Sequence, residues 1–369
     1  MNMQIDEAQE MLRASAREFL TESCPLKKVR EIRAREGGFS ADLWKQMGEL
    51  GWLGLALPEA AGGSGMGLLE LCLLIEEMGH ACVPSPFVEA IAGCGLLLAE
   101  AGGHNDVLGK VATGEAFVVP AFGGTNDDEG FPLLPQVRRQ EGDFVLSGSH
   151  MFVPFAASAS HLLCLAQTAD PTEGACLVLL LVPASGPGIT VTPLQSMRDE
   201  RPCRVDFADV TVGPEALVAS GDEADWLVNA ALQRMDVARC CDNAGALAWV
   251  LEDTVNYAKD RKQFGQPLGS FQVIQHYCAD MHVMLEGIRM SAYQAAWRLS
   301  EGLEADRDAA IACAYAHDVI PRCLGIAHQI HGAMGVTIEH DLHLYSTRAF
   351  APGRSISPLS DYLEQALTI

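Results

Sequence analysis

The sequence predicts an α+β chain of several domains: helical at its N-terminus, a small antiparallel β domain in the middle, and a helical bundle at its C-terminus. Three observations predict this. Apolar residues recur at helical spacing up to about residue 112, the stretch from about 115 to 218 breaks into short β-rich runs, and long apolar-periodic stretches resume at Ala224. The expected division is 1–114, 115–219 and 220–369. A chain of 369 residues, 49% of them hydrophobic, is globular and long enough to bury two or three packed domains.

In the first segment, Ile5, Ala8, Met11, Leu12, Ala16 and Phe19 give one helix a single apolar face. Ser40, ahead of Leu43, Trp44, Met47 and Leu50, is a candidate cap for another. Gly62-Gly63-Ser64-Gly65-Met66-Gly67 follows. Read as a dinucleotide fingerprint from Gly63, it needs a glycine where Leu68 stands and a preceding strand in a βαβ unit. A turn feeding a helix from Leu68 to Met78 explains the same glycines. After Pro84 and Pro86, Val88 to Ala101 is apolar nearly all round and belongs in the interior.

The middle segment carries its strands in Phe117-Val118-Val119, Phe144-Val145-Leu146, Met151-Phe152-Val153, Leu162 to Ala166, Leu177 to Val182, Ile189-Thr190-Val191 and Arg204 to Phe207. Gly123 to Gly130 is polar and reads as a loop. Beyond it, a helix from Ala224 to about Gln263 is followed by one carrying Ile274, Cys278, Met281, Leu285 and Ile288, and by a third from Ala309 to Ile330. Three long antiparallel helices make a bundle.

A formal charge of -23 makes nucleic acid and anionic membrane poor partners. No run of about 18 uncharged apolar residues predicts a membrane span, and the N-terminus, with Asp6, Glu7 and Glu10, lacks the apolar core of a signal peptide. The twelve cysteines are scattered, many inside apolar runs, which fits buried free thiols and a reducing cytoplasm. No Cys-x-x-Cys occurs, and His340 and His343 lack a partner pair, so no metal site is expected.

The stretch most informative about function is Tyr257 to Gln272, a turn between two long helices in which Gly265, Pro267 and Gly269 stop one helix and Ser270 is placed to cap the next. Such a turn gathers Arg261, Gln263, Phe264 and Gln272. A guanidinium suits a pyrophosphate, an amide donates or accepts, and a phenyl ring offers a face. The order Tyr257, Ala258, Arg261, Phe264, Gly265, Phe271, Gln272, Ala279, Asp280, Met281 resembles the signature of the acyl-CoA dehydrogenase family. The resemblance implies that family's fold, with a four-helix-bundle C-terminal domain, and FAD as cofactor, its pyrophosphate held by Arg261 and Gln272. It extends from about Asp6 to Ala349 and includes Glu76-Glu77-Met78-Gly79. The phrase from Ala327 to Asp341 resembles the family's second flavin element, in which Gln329 and Gly332, with Ala333 in place of a second glycine, reach the FAD of a neighbouring subunit. Phe152 takes the place of an aromatic against the flavin. Pro120-Ala121-Phe122-Gly123 departs from the family's Thr-Glu-Pro-Gly phrase.

The family's reaction, α,β-dehydrogenation of an acyl-CoA, needs a desolvated carboxylate base. The usual Glu, shortly after the last helix's Arg, is absent from Arg354-Ser355-Ile356-Ser357-Pro358, and the other known place falls on Met235. Asp236 is the next residue, a step that turns a helical side chain by about 100 degrees. It serves as base only if that helix is rotated or locally irregular. Glu339 is a weaker candidate. The resemblance therefore implies one of two assemblies. Either this is a subunit of a heterotetramer whose paralogous partner supplies the carboxylate, as in bacterial relatives that act on steroid side-chain CoA esters, or it is a homotetramer using Asp236. An electron-transfer flavoprotein is the implied acceptor. A non-catalytic assembly or flavin-binding subunit, and a flavin-dependent oxygenase of the same architecture, are the alternatives.

Overall fold

The computed structural model describes residues 5–35, 37–126, 132–168, 176–196, 201–349 and 359–367. In chain order the helices are α1 (Glu7–Ser23), α2 (Leu26–Arg33), α3 (Ala41–Glu49), α4 (Leu68–His80), α5 (Leu96–Ala101), α6 (Asn105–Ala112), α7 (Asp222–Asp260), α8 (Gln272–Ser300), α9 (Asp306–His331), α10 (Leu342–Ala349) and α11 (Leu359–Leu367). The strands are β1 (Val118–Ala121), β2 (Thr125–Asn126), β3 (Pro132–Leu133), β4 (Gln136–Gln140), β5 (Asp143–Val153), β6 (His161–Thr168), β7 (Leu177–Pro183), β8 (Ile189–Pro193), β9 (Cys203–Val212), β10 (Leu217–Ser220), β11 (Lys262–Gln263) and β12 (Gln266–Pro267). Two compact units result, one of Met1–Glu31, Gly67–Val83 and Asp236–Ile369, the other of Ile32–Met66 and Pro84–Met235. Helix α7 runs through both. Among the described residues no helix is long and apolar enough to cross a membrane.

The first unit is helical. Asp6 and Gln9 cap α1 reciprocally, the Asp6 carboxylate accepting from the Gln9 amide at 2.8 Å and the Gln9 side-chain oxygen from the Asp6 amide at 3.0 Å. Helices α4 and α7 touch backbone to backbone, because a Cβ on Gly79 would lie 2.0 Å from the Asp242 carbonyl oxygen and one on Gly245 would lie 1.8 Å from that of Glu76. Glycine is required at both. Helix α9 packs on α8 and α11, while α7 meets α10 through Trp249 stacked on the buried Tyr345 at 3.9 Å. Arg348 grips Asp242 with two bonds of 2.9 and 2.6 Å and donates to the Val83 carbonyl at 2.9 Å.

Glu76 and Glu77 are 2% and 3% exposed, which requires compensation inside the fold. Arg13 reaches both carboxylates at 3.3 and 3.1 Å, Arg17 reaches Glu77 at 2.6 Å, and Arg289 reaches Glu76 at 2.9 Å. Tyr293 also donates to Glu76.

The second unit is built on an eight-stranded sheet in the order β10-β7-β6-β4-β5-β9-β8, with β1 also paired to β6. The sequence reading expects an antiparallel sheet; the sheet is mixed, because β1 and β4 both run parallel to β6. Alternation and turn residues report hairpins between neighbours in sequence, whereas these pairings join strands that are not consecutive in the chain. The runs around Phe144 and Phe152 form one long strand, β5, and β4 and β10 are strands that apolar runs do not reveal. Ser40 accepts from the Leu43 amide at 3.4 Å and caps α3. Trp44 on that helix packs edge-on against Phe39, Phe87 and Phe117. The interior helix from Val88 opens as a π-helix to Gly95 before α5 continues it.

The glycine-rich turn spends its amides within the chain. Gly63, Ser64, Gly65 and Met66 donate to the carbonyls of Pro58, Gly54, Leu57 and Leu55 at 2.8 to 3.1 Å. Those amides are not free to cradle a phosphate. None of the twelve cysteines forms a disulfide, and most are buried.

Candidate functional site

Helix α7 ends at Asp260, and the chain turns through a minimal hairpin, β11 against β12, with Gln263 paired to Gln266. Its two central residues are Phe264 at φ 53° and Gly265 at φ 84°. Positive φ at both defines a type I′ turn. A phenylalanine is strained there, and this one is 90% exposed, touching the Phe271 ring edge-on at 6.1 Å. The Leu268 amide donates to the Arg261 carbonyl at 2.8 Å, closing the hairpin onto the end of α7. A Cβ on Gly269 would lie 3.2 Å from the Ala258 carbonyl oxygen, so the turn that follows β12 lies close on that helix.

Ser270 does not cap α8. Its hydroxyl donates back to the Pro267 carbonyl at 2.6 Å, stabilising the turn, and Phe271 takes the capping position without a side-chain hydrogen bond. The first turn of α8 holds no acid, and Gln272 is its first residue. A 29-residue helix therefore begins with amide donors and a positive dipole end that its own side chains leave unneutralised. Arg261 and Gln272 are both exposed on this element, and Arg261 pairs with no acid among the described residues. A guanidinium, an amide and a helix N-terminus form a donor set that suits a diphosphate.

At the far end of α9, Gln329, Gly332 and Ala333 are all exposed. Gly332 has φ 59°, a left-handed residue that ends the helix, and its amide donates to the His328 carbonyl. This turn and the Arg261 hairpin are joined through Tyr257. The Tyr257 ring stacks on His331 at 4.4 Å, and its hydroxyl donates to the His331 carbonyl at 3.3 Å.

Around His331 lies a group that sequence reasoning missed: Asp253, His331 and His340. His331 Nε2 is 3.1 Å and His340 Nε2 3.8 Å from Asp253 Oδ2. His340 Nδ1 accepts from the Leu342 amide at 3.1 Å, so its single proton sits on Nε2. That nitrogen has no lone pair for a cation, and the donor set does not suit a metal. Burial pushes the His340 imidazole down, with His331 adding to the shift and Asp253 opposing it. His343, paired with His340 in the sequence reading, instead turns to the His340 carbonyl at 2.6 Å. Arg30 holds the same segment, reaching the Ile338 carbonyl at 2.9 Å and Asp341 at 2.7 Å. The signal in the sequence was the four-residue step from Asp253 to Tyr257, which puts both on one face of α7.

Asp236 is 7% exposed on an uninterrupted stretch of α7, without the irregularity that would re-aim it. Its Oδ2 accepts from the Tyr362 hydroxyl of α11 at 2.8 Å, and Oδ1 is 3.5 Å from Arg239. Burial pushes its carboxyl up to about 6, against the opposing pull of Arg239 and Tyr362. Glu339 is exposed. Phe152, in the second unit, has φ 59° at a register shift of β5 against β9 and is 48% exposed. A bulge there re-aims the ring out of the strand's alternation. The stretch from Arg354 to Pro358, expected to lack a base, lies outside the described residues.

Residues 6–115 match the family model described as acyl-CoA dehydrogenase, N-terminal domain, and residues 227–351 match that described as acyl-CoA dehydrogenase, C-terminal domain. The chain belongs to the acyl-CoA dehydrogenase family. It is 28% identical to acyl-CoA dehydrogenase FadE27 of Mycobacterium tuberculosis, over 87% of this chain and 86% of that protein. It is likewise 28% identical to the probable acyl-CoA dehydrogenase YngJ of Bacillus subtilis, over 92% of each. Among solved structures, a variant of the Tcur3481-Tcur3483 steroid ACAD superposes with TM-score 0.85 at 27% identity, covering 98% of this chain and 97% of that one. The ChsE4-ChsE5 complex from Mycobacterium tuberculosis superposes with TM-score 0.87 at 26% identity, covering 99% and 97%.

Proposed function

We propose that this chain binds FAD and takes part in the α,β-dehydrogenation of an acyl-CoA thioester, as a subunit whose base is supplied by a paralogous partner in a heterotetramer. The observation that carries the flavin reading is the Arg261 element, where a guanidinium without an acid partner among the described residues stands with Gln272 and the uncapped N-terminus of α8. Arg261 and Gln272 hold the diphosphate in this reading, and Phe264 lies against the cofactor. Gln329, Gly332 and Ala333 present backbone and amide to the FAD of a neighbouring subunit, and Phe152 lines the flavin ring. Bound there, FAD supplies the acceptor for the hydride that leaves the β carbon.

Assembly is supported by what the first unit leaves uncovered. Phe264, Met334, Val336 and Ile338 are 90%, 46%, 71% and 73% exposed on the two site elements, apolar area that a second subunit would remove from water. A partner-supplied base is supported by Asp236, whose two oxygens face Tyr362 and Arg239. The two similar solved assemblies named above pair two gene products, which fits the heteromeric reading. The homomeric reading, with Asp236 as base, is favoured by one observation: a carboxyl near 6 is suited to take a proton at neutral pH. The three-part division at 114 and 219 belongs to the same proposal, supported by the change from helix to strand at Val118 and back at Asp222. So does a cytoplasmic location, supported by thiols that form no disulfide.

Purification separates the readings. The chain is isolated alone and co-expressed with a paralogue, and a panel of CoA thioesters is added to each. Flavin held only with the paralogue and bleached by a thioester is the expected result. Flavin bleaching in the chain alone, lost in Asp236→Asn, establishes the homomeric enzyme instead, and absence of flavin from both overturns the reading.

A further inference from the structure

We propose that Asp253 and a doubly protonated His331 form a charge-paired latch that positions the flavin site, fixing the turn after α9 to the end of α7. The inference rests on the flavin reading above, but its geometry stands apart from it. His331 Nδ1 lies 2.8 Å from the Ala327 carbonyl oxygen and Nε2 lies 3.1 Å from the Asp253 carboxylate. Both neighbours are acceptors, so each ring nitrogen must carry a proton to hold its contact. The resulting cation is 3% exposed and needs a counter-charge, which Asp253 provides.

Four groups surround the ring: Asp253 and Tyr257 from α7, His328 from α9, the helix that carries His331 itself, and His340 from the following segment. His340 presents its Nε2 proton to the same carboxylate, and Tyr257 covers the face of the His331 ring. The latch therefore connects the two elements that carry the proposed flavin contacts. Gly332 and Ala333 follow His331 directly, and Arg261 lies one helical turn beyond Tyr257. With Asp253 neutralised, the charge pairing is gone and the turn loses its tie to α7. Neither residue is among the proposed diphosphate contacts. They act through Gly332 on one side and through Tyr257 on the other.

The test uses Asp253→Asn and Asp253→Glu, with Tyr257→Phe as a milder variant that removes only the hydroxyl bond. Nitrogen-15 NMR of histidine-labelled protein, with His331 assigned by His331→Gln, reads the protonation of the ring directly. Hydrogen exchange at residues 332–337 reads the turn without reference to flavin, and the FAD dissociation rate reads the site.

The expected results are two protonated ring nitrogens on His331 in the wild type and their loss in Asp253→Asn. That variant exchanges about tenfold faster at the turn and releases FAD about tenfold faster, and Asp253→Glu restores most of each. A neutral His331 ring in the wild type, or one that shifts only on adding zinc, overturns the latch. Faster exchange at the turn with an unchanged FAD dissociation rate overturns its positioning role. If no wild-type preparation holds flavin, the functional reading fails on its own, and ring protonation with exchange still decides: unchanged exchange in Asp253→Asn and Tyr257→Phe overturns the latch.

Discussion

Arg13, Arg17 and Arg289 converge on two glutamates that are almost wholly buried, whereas Arg261, in the same helical unit, extends from a hairpin and meets no acid among the described residues. The first set is consumed by the fold. Ionised carboxylates removed from water must be matched by cations and hydrogen bonds, and Glu76 and Glu77 are matched by three arginines and Tyr293. The second is left available. An exposed guanidinium adds little to folding, so Arg261 is not explained by stability.

This contrast is broken most sharply at Glu76. Glu76→Gln leaves Arg13 and Arg289 facing a neutral amide in a buried site, a change expected to cost about 3–5 kcal/mol. Thermal unfolding of the chain should show a large fall in midpoint. A fall no larger than that of an exposed glutamate variant would mean the cluster is solvated.

Asp236 lies between the two cases, buried but only partly compensated. Its carboxyl rises from 3.8 to about 6 in the fold, so ionisation is harder folded than unfolded. The stability it lends is complete below about pH 4 and is lost as pH rises through 6. Asp236→Asn does not ionise and escapes the loss. Its stability relative to wild type should increase from pH 4 to pH 7, by up to about 3 kcal/mol at roughly 1.4 kcal/mol per unit. A flat difference across that range contradicts the burial effect.

The smallest effect sharpens the functional side. Phe264 holds a left-handed conformation that asparagine adopts more readily, so Phe264→Asn should stabilise the isolated chain by about 1 kcal/mol while weakening flavin binding. A variant that gains stability and loses no affinity would show that the ring serves no ligand.

Much of this arrangement was legible in residue order. The glycines and proline from Gly265 to Gly269 mark a turn between α7 and α8, though not its two short strands, and the change of period marks the sheet. Other features were not, because they depend on contacts between distant residues. The parallel pairing of β1 and β4 with β6 joins strands that no local pattern connects. Ser270 had the right chemistry for a cap but spent its hydroxyl on the preceding turn. Asp253, His331 and His340 come together only because α7, α9 and the following segment meet, and each reads in isolation as an ordinary helix or loop residue.

The most direct test of the central claim is the FAD content of Arg261→Ala, measured in whichever preparation of the wild type carries flavin. Hydrogen bonds to a charged group contribute about 1.5–3 kcal/mol, so the variant should bind FAD roughly ten- to a hundredfold more weakly while its unfolding midpoint stays close to that of the wild-type apoprotein. Equal FAD affinity in Arg261→Ala and wild type would contradict the assignment of this hairpin to the cofactor.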